Sequence, residues 1–420
     1  MDLKSIRING DRLMQRIDDL AAIGPHEGTG SCRLALTDED RDGRDLVVTW
    51  MKDLGLEITI DGIGNVIATR PGEMDGPPTL TGSHIDTVAT GGRYDGNLGV
   101  LAGIELIETL IENDVTTRYP IGVAFFTDEE GARFPPDMLG SLVYVGGLAL
   151  EQALEVEGID GAILGEELDR IGYRGTSPCP GIPPRAFIEL HIEQGPLLEV
   201  EETTIGIVTG VQGISWTEYS ITGQSNHAGT TPMHLRHDAG YVAARITTEA
   251  REITERMGGR QVATVGRMQF HPDLVNVVAR EARLTVDLRN TDESLLLDAE
   301  SQMETCIRSL EESEGVTIDS RSLARFEPVV FDSRVVDVVS EISSELDFSS
   351  MQMPSGAGHD AQMLARVCPT GMIFVPSRDG ISHNPSEHTD REDLIAGANV
   401  LLQSVLALDA RDLPASGVEQ

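Results

Sequence analysis

Lysine is nearly absent from this chain: of 420 residues only Lys4 and Lys52 are lysine, and every other basic side chain is arginine. Against 32 basic residues stand 69 acidic ones, a formal net charge of −37. A surface this negative repels phosphate backbones, which argues against nucleic acid as a partner. The acids are spread along the chain rather than gathered in a tail, so they coat the surface, and their mutual repulsion is relieved only where salt screens it. The composition therefore predicts a halophilic protein working in a high-salt cytoplasm. Cysteine is also scarce. Cys32, Cys179, Cys306 and Cys368 show neither metal-like nor disulfide-like spacing, which fits idle thiols in a reducing cytoplasm. No apolar run approaches the roughly 18 residues a membrane span needs. The first twenty residues, MDLKSIRINGDRLMQRIDDL, lack the basic start and apolar centre of a signal peptide. Repeats and low-complexity tracts are missing too.

What is present suffices for two cores, since 40% of the residues are apolar and a single core rarely grows past about 250–300 residues. Residues 1–23 read as a helix, with Leu13, Ile17 and Leu20 at helical spacing. LEITIDGIGNVIATRPG (56–72) reads as two short strands about a glycine turn, and PTLTGSHID and YPIGVAFFTDEEG as apolar strands ending in polar residues. A helix, NLGVLAGIELIETLIEND, lies between the latter two. This β-α-β order predicts a layered α/β domain, in which sites form outside the carboxyl ends of the strands. Residues 213–327 change character. ISWTEYSIT, QVATVGRMQF, EARLTVDLRN and VTIDSRSL alternate like strands, with helices over DAGYVAARITTEAREITERM and about 293–312. That order, β-α-β-β-α-β, is a ferredoxin-like sandwich. SRVVDVVSEISSEL, TGMIFVPS and REDLIAGANVLLQSVLAL then return to helix-strand-helix. The expected architecture is α/β: a hydrolase-like (or phosphorylase-like) metal-binding domain, residues 1–212 and 328–420, interrupted by an α+β sandwich, residues 213–327.

Chemistry concentrates at strand ends. GSHIDTVATGGRYDGNLGV (82–100) sets His84, Asp86 and Asp95 among five glycines, where backbone bends sharply or approaches something closely. Turns use the same residue types, so this stretch alone decides nothing. FFTDEEGARF adds adjacent Glu129 and Glu130, carboxylates that repel each other unless a positive charge sits nearby. AFIELHIEQGP places His191 and Glu193 at alternate positions, and SRDGISHNPSEHT brings His383. Imidazole and carboxylate without cysteine suit Zn²⁺ or a similar divalent ion.

With these stretches, and with NHAGTTPMHLRHDA and SGAGHDAQML, the chain resembles the two-metal peptidases and amidases that include aminoacylases and carboxypeptidases. The resemblance covers nearly the whole chain and is greatest to the N-carbamoyl-L-amino-acid hydrolase branch, which also holds allantoate amidohydrolases and β-ureidopropionases. It implies that Asp95 bridges two divalent ions, Zn²⁺ first with Mn²⁺, Co²⁺ or Ni²⁺ as alternatives. His84 and His191 would complete one site, Glu130 and His383 the other. Asp86 would accept the second N–H of His84 and fix its tautomer. Glu129 would be the general base, taking a proton from water and returning it to the leaving nitrogen. The peptidase relatives generally carry an acid where this chain has His191, which favours the carbamoyl-hydrolysing branch.

The resemblance also implies substrate contacts: Arg289 forking onto a carboxylate, Asn276 beside it, and His227 stabilising the developing oxyanion. Gln194, Gly356 and Gly358 would be lesser pocket contributors, with His234, His237 and His359 structural. In relatives the histidine often arrives across a homodimer interface. Catalytic parts on two domains imply closure of the sandwich as a lid, with hinges expected near residues 210 and 328. The expected reaction is hydrolysis of the carbamoyl C–N bond of an N-carbamoyl-L-amino acid to amino acid, CO2 and ammonia, a small ureido substrate with a carboxylate. Allantoate or β-ureidopropionate is the alternative. An aminoacylase or dipeptidase fits His191 and EQGP less well, and a non-catalytic scaffold has no use for Glu129.

Overall fold

The computed structural model describes residues 3–412. They fall into two compact units, one formed by the chain up to Gly210 and from Val330 onward, the other by Val211–Val329.

The larger unit is built on a nine-stranded mixed sheet. Its strands are β1 (Glu57–Ile60), β2 (Val66–Arg70), β3 (Thr79–His84), β4 (Ile121–Phe126), β5 (Ala186–Ile192) and β6 (Ile205–Val211). β7 (Gly213–Thr222), β8 (Val262–His271), β9 (Glu281–Asn290) and β10 (Thr317–Phe326) belong to the smaller unit, after which β11 (Val329–Val330), β12 (Ser350–Ser355) and β13 (Thr370–Val375) finish the large sheet. The order is β1-β2-β4-β3-β5-β13-β6-β11, with β12 beside β6. β4, β3, β5 and β13 run parallel as a central group. Every residue of these four strands is buried, as befits parallel strands covered on both faces, and this explains why they read as unbroken apolar runs. Gly82 in β3 has φ +147°, and a Cβ there would fall 1.9 Å from the carbonyl oxygen of Ala124 on β4, so no other residue fits.

The helix Asn97–Glu112 packs on β3, β4 and β5 and is apolar nearly all round, the composition of a helix buried on most sides. Arg391–Asp409 packs on β13, β5 and that helix. The N-terminal helix is shorter than its periodicity suggests, Gly10–Ala21 rather than 1–23. Asn9 caps it by accepting from the Arg12 N–H, and the extended residues before it place Ile6 and Ile8 in the core. Met1 and Asp2 lie outside the described residues.

In the smaller unit the order β10-β7-β9-β8 is antiparallel throughout. Ala239–Met257 and Glu293–Glu314 pack against the sheet through a core that includes Tyr219, Ile246, Leu284, Val286 and Met303. This is the ferredoxin-like sandwich, and with the mixed α/β sheet it fixes the fold class. Among the described residues no helix is long and apolar enough to cross a membrane.

Candidate metal centre

Because β4, β3, β5 and β13 are parallel neighbours, their carboxyl ends share one edge of the sheet. His84 is the last residue of β3 and pairs in register with Phe126, the last of β4, from which the chain runs directly to Glu129 and Glu130. His191 is the penultimate residue of β5, opposite Phe374 of β13. The loop after β13 carries His383, at φ +53°. Asp95 sits just before the helix Asn97–Glu112. Gly96, at φ +66°, lets that turn pass under His84, where a Cβ would lie 2.4 Å from the imidazole.

These elements bring five side chains around one carboxylate. Asp95 Oδ1 lies 3.2 Å from His191 Nε2 and 3.7 Å from His84 Nε2. Asp95 Oδ2 lies 3.4 Å from His383 Nε2, which is itself 3.3 Å from Glu130 Oε2. The two oxygens thus face two separate donor groups, and His84–Asp95–His191 and Asp95–Glu130–His383 each have the compactness of a metal-binding set. Glu129 Oε2 stands 3.3 Å from His84 Nε2. Gln194, at φ +58°, donates its amide N–H to Asp95 Oδ2 at 2.9 Å, and the Ser382 hydroxyl lies 3.0 Å from the same oxygen.

The ring nitrogens that face away are held by main chain. His191 Nδ1 is 2.8 Å from the carbonyl of Ile192. His84 Nδ1 is 2.9 Å from the carbonyl oxygen of Asp86, whereas the Asp86 carboxylate is 3.9 Å away. The expectation that this carboxylate would hold the imidazole is therefore corrected. It accepts instead the backbone N–H groups of Glu129 at 3.2 Å and Glu130 at 3.3 Å, so Asp86 orients His84 through its main chain and the two glutamates through its side chain.

Burial and like charge make the cluster electrostatically unsettled. Desolvation, with the charges of Asp360, Glu130 and Asp95, pushes Glu129 well above the usual carboxylate range. Burial and the Asp95 charge raise Glu130 as well. Burial works against a charged Asp95, but its bonds to His191 and His383 outweigh that and leave it well below the ordinary value. Burial alone would lower His191, yet Asp95 carries it up to about 9, and bonds to Asp95 and Glu130 raise His383 to about 11. Such a crowd of buried carboxylates, with three imidazole nitrogens converging on one of them, fits divalent cations, whose charge relieves the repulsion and whose preference is for N and O donors.

Sequence reasoning passed over several supporting residues. Glu189, buried in β5, accepts from the Ser83 hydroxyl at 2.6 Å and the Ala361 N–H at 2.8 Å; His359, which the sequence reading left as structural, packs its ring on His191 with centroids 4.6 Å apart. Arg33, fully buried, bonds the carbonyls of Leu20, Ile23 and Ile85 and the side chain of Asn97. A mid-strand acid such as Glu189 was a visible signal; Arg33 had none. Gly356 and Gly358 lie between β12 and the short helix Asp360–Leu364, with Gly358 close to Met138.

The remaining residues belong to the smaller unit. His227 Nδ1 accepts from the N–H groups of Gly229 at 3.1 Å and Thr230 at 3.3 Å, which leaves Nε2 to carry the proton. A short ladder (His227 with Val277, Ala228 N–H to the Asn276 carbonyl at 3.0 Å) sets Asn276 beside it. Arg289 is elsewhere. It sits near the far end of β9, its guanidinium bonded to Asp287 at 3.0–3.1 Å and over the Trp216 ring. From Glu281 at the start of β9 to Arg289 is eight residues, about 27 Å of extended chain. The unit brings His227 and Asn276 together and keeps Arg289 apart from them.

The model for the peptidase family M20/M25/M40 matches residues 80–407, and the chain belongs to that family, whose members are metal-dependent hydrolases of C–N bonds. More particularly, it is 40% identical over 401 residues to the N-carbamoyl-L-amino-acid amidohydrolase of Rhizobium meliloti, covering 95% of this chain and 96% of that one. It is 35% identical over 387 residues to the allantoate amidohydrolase of Escherichia coli, covering 91% and 94%. The crystal structure of an amidase of the hydantoinase/carbamoylase family from Burkholderia multivorans superposes with a TM-score of 0.94 at 43% identity, covering 97% and 99%.

Proposed function

We propose that this protein hydrolyses the carbamoyl C–N bond of N-carbamoyl-L-amino acids, releasing the amino acid, CO2 and ammonia. The observation that carries the proposal is the division of Asp95, one oxygen facing His84 and His191 and the other His383, with Glu130 beside His383. Two divalent ions held by these residues, zinc foremost for an N/O donor set, would supply Lewis acidity and a water acidic near neutral pH. Glu129, raised in pKa and next to His84, takes the proton of the attacking water and delivers it to the departing nitrogen. His227, its Nε2 protonated by the way Nδ1 is bonded, donates to the oxyanion. Arg289 receives the substrate carboxylate, exchanging part of its bond to Asp287, while Asn276 and Gln194 orient the ureido group and Gly356 and Gly358 leave it room.

Allantoate, which is both a ureido compound and a carboxylate, is the second reading, favoured by the likeness to the Escherichia coli enzyme. The protein works as a homodimer: a small substrate cannot reach His227 and Arg289 of one copy across about 27 Å of strand, so a second copy supplies the histidine. Exposed apolar side chains near the His227 end (Met233, Leu235, Tyr241, Phe270 and Leu274) support such an interface. The acidic coat fits a salt-rich cytoplasm. Ammonia release should be measured for several N-carbamoyl-L-amino acids, β-ureidopropionate and allantoate in high KCl, and release of the free amino acid for an N-acetyl amino acid as control. Turnover of the N-carbamoyl compounds alone is expected; turnover of the N-acetyl control alone would refute the proposal. Glu129→Gln should keep both ions and cost 10²–10⁴-fold in kcat, the usual range for a lost acid-base group.

A further inference from the structure

Glu387 lies in the loop after β13, four residues beyond His383, and is buried to 2% exposure. Among the described residues no lysine or arginine side chain bonds it. Its Oε1 accepts the backbone N–H of Tyr94 at 3.0 Å and of Asp95 at 3.2 Å. Its Oε2 lies 3.1 Å from the Ser382 hydroxyl, which also stands 3.0 Å from Asp95 Oδ2. The approach is close enough to require glycine at position 92, where a Cβ would fall 2.1 Å from Glu387 Oε1. One carboxylate therefore grips the main chain that carries Asp95 and, through Ser382, the side chain of Asp95, while its own loop carries His383.

These two loops come from distant parts of the sequence, and Asp95 and His383 stand 3.4 Å apart only because the loops are held together. Covering the imidazole or the glutamate of the set would need neither group, so a carboxylate spent on this junction has a purpose tied to the junction. We propose that Glu387 is a positioning residue that sets the spacing of the Asp95–Glu130–His383 group and so governs that ion selectively, leaving the His84–Asp95–His191 group largely intact. The inference rests on the reading of these groups as metal sites and not on any substrate.

The test is Co²⁺ titration of the chelator-stripped full-length protein, followed by d–d absorption, with metal content after dialysis. Glu387→Ala should weaken one of the two binding steps 10–100-fold, the usual cost of losing a residue that orients a ligand, while the other step and the melting temperature of the stripped protein stay near wild type. Gly92→Ala, which wedges the carboxylate away without deleting it, should act in the same direction. Glu387→Gln, which can still accept the two N–H groups, should lie closer to wild type. Unchanged titrations in both Glu387→Ala and Gly92→Ala would overturn the proposal, as would loss of both ions in step with the melting temperature. Two bound ions in a protein inactive on every carbamoyl compound would leave it standing and remove only the substrate reading.

Discussion

On the proposed reading, His191 and His383 each face a carboxylate that shares its oxygens with a cation. In the stripped protein both imidazoles are raised, to about 9 and about 11, because Asp95 (and Glu130, for His383) bond their protonated forms. A ligand imidazole must be neutral, so loading metal near pH 7 must expel protons, about two per chain. Calorimetric titration in buffers of different ionisation enthalpy should read this as a strong dependence of heat on buffer; a buffer-independent heat would mean the histidines are not the ligands. The sign for stability follows. Both folded-state values lie above the ordinary histidine value, so their contribution is full below about pH 6.5 and is lost as pH rises through 9 toward 11. The stripped protein should melt lower at pH 9 than at pH 6. These residues were legible because imidazoles and acids stand at the ends of apolar runs. The manner of holding them was not: nothing in HID distinguishes a carboxylate of Asp86 bonding His84 from a carbonyl doing so.

Among the elements, legibility followed the polarity of the buried face. β9, with its strict in-and-out burial, is visible as EARLTVDLRN, and the parallel strands are visible as apolar runs. The helix Asp38–Asp53 was passed over because the first half of its buried face is Asp40, Gly43 and Arg44 before Val47, Val48 and Met51 take over. Arg44 is buried there against Asp40 at 2.8 Å, and Arg33 beside Gly43. Here polar side chains fill positions that periodicity reserves for leucine. β11, of two residues, is too short to leave a pattern. Arg33 shows what the polar layer does: it ties the end of Gly10–Ala21 to Ile85 and Asn97, on either side of the loop bearing Asp86 and Asp95. Arg33→Leu would strand the acceptors of Ile23, Ile85 and Asn97, the Leu20 carbonyl keeping the Ile23 N–H, each costing about 1–3 kcal/mol unpaired. A net loss of about 3–5 kcal/mol is expected by urea denaturation, in line with breaking other buried charged networks. Lysine should not rescue it, since one ammonium cannot span a guanidinium's fan of acceptors. A loss below about 1 kcal/mol would show that water replaces the arginine at little cost.

For the molecule as a whole, the net charge of −37 makes screening a term in stability, and the melting temperature should rise from dilute buffer to molar KCl as repulsion within a Debye length is quenched. A flat or falling melt would mean the acids are spaced widely enough to be indifferent. The separation of His227 from Arg289 along β9 makes a sharper demand. If one copy supplies His227, with Asn276 beside it, and the other the rest of the site, a heterodimer of His227→Ala with Glu129→Gln has one site missing both residues and one missing neither. The intact site is built on the His227→Ala copy and borrows its histidine from the Glu129→Gln copy. Each variant alone should be nearly inactive, yet the heterodimer, co-expressed with two different tags and purified through both, should regain about half the wild-type activity per dimer, as twofold symmetry requires. Were the histidine to act within its own chain, both sites of that heterodimer would be damaged, and no activity would return.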